Sequence, residues 1–145
     1  MWYNWLSRRA IKSCNMSSKL KHLEFIQSAI DRMARNSFLL KSWAATLITG
    51  FSALSVRNFS SGHVYYSIIL IVCFISLDSY YLSKERAFRK LYDEVRVKEE
   101  VDIDFSLSIK HLTTFGGWIK SVFSCSVLLF YCGLLIAQLL LIKLA

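Results

Sequence analysis

The chain has 145 residues, is 54% hydrophobic and 14% aromatic, contains no proline and has a mean hydropathy of +0.40. Outside three long apolar stretches only about 75 to 85 residues remain, in pieces too short for an independent soluble domain with its own core. We therefore predict one all-α membrane domain over residues 18–145, in spite of the net charge of +8.

Residues 1–17 form an N-terminal extension ahead of this domain. They contain no apolar run long enough for a signal peptide. Trp2 and Trp5 stand among basic residues, a mixture typical of a segment that lies flat on the inner leaflet. The alternative is that translation starts at Met16 and that the preceding residues are poorly constrained. The sequence leaves both interpretations open.

Residues 18–37 show the periodicity of a helix that continues into the first apolar stretch. Apolar residues recur at alternating steps of three and four, while polar residues occupy the other faces. Such a seam needs a neighbouring helix, either the cytoplasmic continuation of the second stretch or the same helix in another copy. The seam consists of Leu23, Ile26, Ile30, Met33, Ser37 and Leu40.

The three apolar stretches, residues 38–56, 64–82 and 121–142, are predicted to be transmembrane helices. At about 1.5 Å of rise per residue, each reaches roughly 28 to 33 Å, which is the thickness of a bilayer core.

The basic residues predict how these spans are oriented. Eight lie in the arm between the second and third spans, residues 83–120, whereas Arg57 is alone in the first connection and Lys143 alone in the tail. By the positive-inside rule, the N-terminus and the arm are cytoplasmic and the C-terminus faces out. The basic excess therefore indicates orientation and headgroup contact rather than nucleic-acid binding.

The first predicted span differs from the other two because small and hydroxyl-bearing residues repeat along it at every fourth position. Two such ridges lie side by side and form a face suited to close helix packing, since lipid tails give helices no hydrophobic drive to associate. This face either packs within one copy or forms an oligomer or a hydroxyl-lined conduit. The ridges are Ser42, Thr46 and Gly50 in one row and Ala45, Thr49 and Ala53 in the other.

Two ionisable residues, Lys41 and Asp78, fall inside the predicted spans. In antiparallel spans they lie at nearly the same depth, just inside the cytoplasmic face. An isolated charge there costs several kcal/mol, so we predict that the two form an ion pair. Two alternatives are that Lys41 extends to the interface instead and that Asp78 belongs to an ion pathway.

The cytoplasmic arm changes the sign of its charge along its length, with basic residues near the second span and acidic residues farther out. Residues 101–110 alternate strictly between apolar and polar side chains, which is typical of a short strand. Such a strand must pair with a partner's edge, pair between copies, or lie extended against the helices. The predicted partner contacts are Asp93, Glu94, Glu99, Glu100, Asp102, Asp104 and Phe105.

The sequence contains no catalytic or cofactor motif. The three histidines, His22, His63 and His111, lie far apart, and no P-loop, nucleophile elbow or dinucleotide fingerprint is present. Asp102 and Asp104 are close in sequence but lack further ligands for a divalent cation. We expect neither an enzyme nor a metal or cofactor site.

Two groups of motifs resemble small multi-pass membrane effectors of bacterial anti-phage defence loci. The first group is HLEFIQ at 22–27, RMARNSF at 32–38 and KSW at 41–43. The second is YLSKER at 81–86, LYDEV at 91–95 and DFS at 104–106. Such proteins occur beside retron reverse transcriptases, and related ones serve cyclic-oligonucleotide systems. Retron effectors of this kind have two spans, so a third span would be a departure.

The resemblance implies a homo-oligomeric effector in the bacterial inner membrane that a cytoplasmic protein or nucleoprotein keeps silent. On infection it would be released, perturb the membrane lipid barrier and stop growth. The arm would contact the regulator, without direct nucleic-acid binding. The alternative function is a non-toxic accessory subunit or a small transporter or channel component of a membrane complex.

The predicted orientation can be tested at Ser106 in the arm. In a variant whose four native cysteines are replaced by serine, a cysteine at position 106 should not react with a membrane-impermeant maleimide in intact cells. A cysteine at position 63, in the outer connection, should react and serves as the control. Labelling of position 106 in intact cells would contradict the orientation.

Overall fold

The computed structural model of the chain describes residues 2–55, 62–99 and 102–144, and it describes side chains within 18–52, 66–99 and 102–140. This part of the chain contains four helices and no strand. They are α1 (Trp2–Ser55), α2 (Gly62–Val97), α3 (Phe115–Val122) and α4 (Cys125–Leu144).

Helices α1 and α2 form a long antiparallel pair, which is the main contact of the fold. The predicted helix of residues 18–37 is confirmed, and it runs without a break into the first apolar stretch. Its seam contacts α2 of the same chain, because Ile26 and Ile30 pack against Leu91 and Val95. Of the two partners considered for the seam, the structure therefore shows the continuation of the second stretch.

A second core lies farther along the same helix pair. Ala44 and Ile48 of α1 meet Ile71 of α2, and α4 inserts Val127 and Tyr131 against them. All five residues are at most 3% exposed. Helix α4 thus packs on the α1–α2 pair and completes a three-helix arrangement.

The third apolar stretch is not one continuous helix. It begins inside α3, and α3 and α4 meet at a 46° bend at Phe123 and Ser124. The Arg86 guanidinium of α2 donates hydrogen bonds to the hydroxyls of Ser121 (3.4 Å), in the last turn of α3, and Ser124 (2.8 Å), in the bend itself. Because Arg86 lies outside the stretch, hydropathy alone does not reveal this anchor.

Among the described residues, only α2 from Tyr66 is long and apolar enough by itself to cross a membrane. The bent pair of α3 and α4 provides a second candidate if the two helices form one span. The first stretch, residues 38–56, extends past residue 52, the last residue of α1 whose side chain the structure describes. Membrane placement of α1 stays a prediction.

The predicted strand at residues 101–110 is wrong for the described part, 102–110. This segment has no regular secondary structure over residues 103–109 and forms no ladder, and it lies against the helices as a single chain. Ile103 is 8% exposed in the core with Ile26 and Leu91, whereas Leu107 is 47% exposed. The buried side chain of Ile103 holds the segment, and it does not pair with another strand as the alternation predicted.

The buried Ile103 provides a test of how the arm is held. Replacing it with Asp should release the arm, because a carboxylate in that core loses apolar contacts and its hydration, at a cost of about 2–5 kcal/mol. Limited trypsin digestion should then cut faster after Lys98 and Lys110, which flank the segment. Leu107→Asp, which introduces the same charge at an exposed position, should leave the cleavage rate unchanged, and equal acceleration by both variants would contradict this anchoring.

Candidate functional site

A closed triangle of polar contacts joins α1 to α2, near the start of the first apolar stretch and the end of the second. The Lys41 ammonium lies 2.6 Å from Asp78 Oδ2 and donates a 2.9 Å hydrogen bond to Ser37 Oγ. The Ser37 hydroxyl in turn donates to Asp78 Oδ1 over 2.5 Å. Both carboxylate oxygens therefore have a partner, and the hydroxyl both accepts and donates.

Helix geometry explains why these groups meet. Ser37 and Lys41 are four residues apart on α1, so they lie on one face, and that face is the one turned toward α2. The Asp78 side chain is completely buried, while that of Lys41 remains 17% exposed. The structure thus brings together the two charges that the sequence analysis paired, and it adds a hydroxyl between them.

Helix α4 encloses the same region with further polar groups. Tyr131 of α4 is 1% exposed and packs in the core with Ala44 and Ile48 of α1. Its hydroxyl and that of Ser79 are buried without a hydrogen-bond partner among the described residues. Buried hydroxyls without partners are uncommon. The hydroxyls of Tyr131 and Ser79 are therefore two buried groups that can still form hydrogen bonds.

The ridges of small residues on α1 point away from this site. Ser42, Thr46, Thr49 and Gly50 are exposed in the single chain, and a Cβ built on Gly50 would meet nothing within 4 Å. The hydroxyls of Ser42, Thr46 and Thr49 donate hydrogen bonds to the carbonyls four residues earlier, as serine and threonine hydroxyls commonly do within helices.

Packing of these ridges within one copy is therefore not what the structure shows. Ala45 is half-buried, and the side chain of Ala53 lies outside the described residues. The buried face of the first stretch consists instead of Ser37, Ala44 and Ile48.

The acidic arm residues are accessible, whereas Phe105 has a contact of its own. Asp93, Glu94, Glu99, Asp102 and Asp104 are all exposed, and Glu100 lies outside the described residues. The Phe105 ring stands edge to face against His22 of α1, with 5.5 Å between ring centroids, although 55% of the residue remains exposed.

Three further contacts hold the arm and were not predicted from the sequence. Lys19 Nζ donates to the backbone carbonyls of Arg96 (3.2 Å) and Lys98 (2.7 Å), which caps the end of α2. His111 Nε2 lies 3.8 Å from a Glu94 carboxylate oxygen. A lysine 77 residues before its acceptor carries no local signal in the sequence.

No group of three or more metal-ligating side chains occurs in the part of the chain that the structure describes. The three described cysteines, Cys73, Cys125 and Cys132, are free and exposed on the helix surfaces.

Comparison of the chain with protein-family models, with curated proteins and with solved structures finds no match.

The triangle predicts unequal effects for its two charged members. Lys41→Met leaves the fully buried Asp78 without its counter-charge, so it should lower the midpoint of thermal unfolding in detergent by on the order of 10 °C. Asp78→Asn should lower it less, because the ammonium of Lys41 is partly exposed and can turn toward water.

The double variant Lys41→Met with Asp78→Leu should be more stable than Lys41→Met alone, because no unpaired charge remains buried. The midpoint is read as the temperature at which half of the protein stays monodisperse. Additive losses in the double variant would show that the two residues act independently.

Proposed function

We propose that the chain is a membrane-perturbing effector that assembles through the exposed face of α1 in the bacterial inner membrane. In this proposal α1, α2 and the bent α3–α4 pair span the membrane, with the N-terminus and the arm in the cytoplasm. The observation that carries the proposal is the exposure of Ser42, Thr46, Thr49 and Gly50 on α1, which none of the helices covers in the part of the chain that the structure describes.

A face of this composition is better suited to another helix than to lipid. Gly50 and the neighbouring hydroxyl residues let backbones approach closely, and hydroxyls can exchange their bonds to their own helix for bonds across an interface. The opposite face of α1 is already fixed to α2 by the triangle of Ser37, Lys41 and Asp78. Self-assembly would therefore leave each copy intact while placing hydroxyls between copies.

Control by a cytoplasmic partner fits the accessibility of the arm. The exposed carboxylates of Asp102 and Asp104 precede the half-exposed Phe105 in the chain, which gives a regulator both charge and an apolar contact. The resemblance of the motifs at 22–27 and 81–86 to defence effectors supports the same assignment. Release of the partner would then permit assembly and loss of the membrane barrier.

The proposal is tested by expressing the chain without neighbouring genes and following the membrane potential with a sensitive dye. We expect depolarisation within minutes of accumulation, followed by growth arrest. Gly50→Leu should reduce the depolarisation at least tenfold, because the leucine side chain keeps α1 helices apart.

Gly133→Leu is the matched control. Gly133 is an exposed glycine of α4, and a Cβ built on it also meets nothing within 4 Å. It should depolarise like the wild type, and membrane-fraction blots should show equal insertion of all three proteins. If inserted wild-type protein leaves potential and growth unchanged, with or without its infection trigger, the accessory-subunit function replaces the effector function.

A further inference from the structure

A cavity of about 410 Å³ opens between the cytoplasmic half of α2 and the start of α3. On the α2 side it is lined by Tyr80, Ser83 and Lys84, and on the other by Thr114, Phe115 and Trp118. None of the described residues that line it is acidic. The cavity is separate from the triangle of Ser37, Lys41 and Asp78 and from the exposed ridges of α1.

The one charge in this cavity is not neutralised by the protein. Lys84 Nζ lies 5.4 Å from the centroid of the Tyr80 ring and has no carboxylate partner among the described residues. The adjacent Glu85 is already paired with Arg89, whose guanidinium lies 2.7 Å from it. The ring orients the ammonium without cancelling its charge, so the cavity attracts an anion.

Hydroxyl and aromatic groups complete the lining. Thr114 makes no capping hydrogen bond with its side chain, and Ser83 offers a second hydroxyl beside Lys84. Phe115 and Trp118 stack with 5.5 Å between their centroids, and Trp118 Nε1 is held by the Ser76 carbonyl at 3.3 Å. The lining thus combines hydrogen-bond donors for a phosphate with an aromatic wall, of which Trp118 is anchored by its hydrogen bond.

We propose that this cavity binds the phosphate headgroup of an anionic phospholipid of the cytoplasmic leaflet. Lys84 follows directly on the apolar half of α2, which places the cavity where headgroups lie if α2 crosses the membrane. The phosphate faces the Lys84 ammonium and the hydroxyls, and the glycerol and first acyl carbons lie along Phe115 and Trp118. The aromatic wall favours a lipid over a free phosphate.

The inference rests on the membrane placement in the proposed function but not on toxicity. Flotation of the reconstituted protein with its vesicles is measured first, so that failure to insert is distinguished from failure to select a lipid.

The experiment uses the full chain with Trp2, Trp5 and Trp43 replaced by Phe, so that Trp118 is the only tryptophan. It is reconstituted in phosphatidylcholine vesicles containing increasing fractions of brominated phosphatidylglycerol or, separately, brominated phosphatidylcholine. Quenching of Trp118 fluorescence gives the relative affinity of the two lipids at the cavity. We expect phosphatidylglycerol to be preferred about fivefold.

Lys84→Gln should remove this preference, and Lys84→Arg should retain it. Lys120→Gln is the control. Lys120 is an exposed basic residue of α3, the helix whose first residues line the cavity, but Lys120 itself does not line it. An equal loss in Lys84→Gln and Lys120→Gln would overturn the proposal in favour of a general surface charge effect. So would equal quenching by the two lipids in the parent protein.

A second experiment distinguishes a lipid ligand of the cavity from a soluble phosphate ligand. The same protein in neutral detergent is titrated with inorganic phosphate up to millimolar concentrations. A Trp118 response that depends on Lys84, together with no lipid preference in vesicles, would overturn the lipid assignment and indicate a soluble phosphate ligand. Lipid selection without such a response supports it.

Discussion

The fold depends on how α1 and α2 keep one buried charge compensated. Asp78 has no exposed side-chain surface, so its carboxylate is tolerated only because Lys41 and Ser37 supply a counter-charge and a hydroxyl. Because the two donors sit on one helix and the acceptor on the other, this requirement fixes the rotation of each helix toward its partner. It also fixes their relative height, since a shift by one turn would separate the groups by about 5.4 Å.

The consequence for α1 is a division into two faces of different chemistry. The face that carries Ser37, Ala44 and Ile48 is buried within the chain, whereas the ridges with Thr46 and Gly50 are exposed. The proposed assembly uses the free face, and the internal packing uses the other. The two do not compete, so a single chain can be complete in its core and still have a helix surface suited to a second copy.

The segment between α2 and α3 is held by a few side chains rather than by secondary structure. Ile103 packs against Leu91 and Val95, and Lys19 satisfies carbonyls at the end of α2. The carboxylates of Asp102 and Asp104, on either side of Ile103, are exposed to water. An arm fixed at single points can be displaced by a partner at lower cost than a strand within a sheet, which suits the regulatory contact proposed for it.

The sequence alone determined the elements that follow from local periodicity and from the cost of burying charge. The helix of residues 18–37 was predictable from its alternating three- and four-residue steps, and Lys41 and Asp78 could be paired because apolar surroundings leave each few other partners.

Tertiary structure decided the rest. The alternation at 101–110 implies a strand only if a second edge exists, and none of the described residues provides one. At the bend, Ser121 and Ser124 accept hydrogen bonds from Arg86, which is 35 and 38 residues away from them in the sequence. The ridges of α1 are exposed because Ser37 and Lys41, on the other face, contact Asp78 of α2. Hydropathy patterns do not show which face of a helix will contact a charged residue that is distant in the sequence.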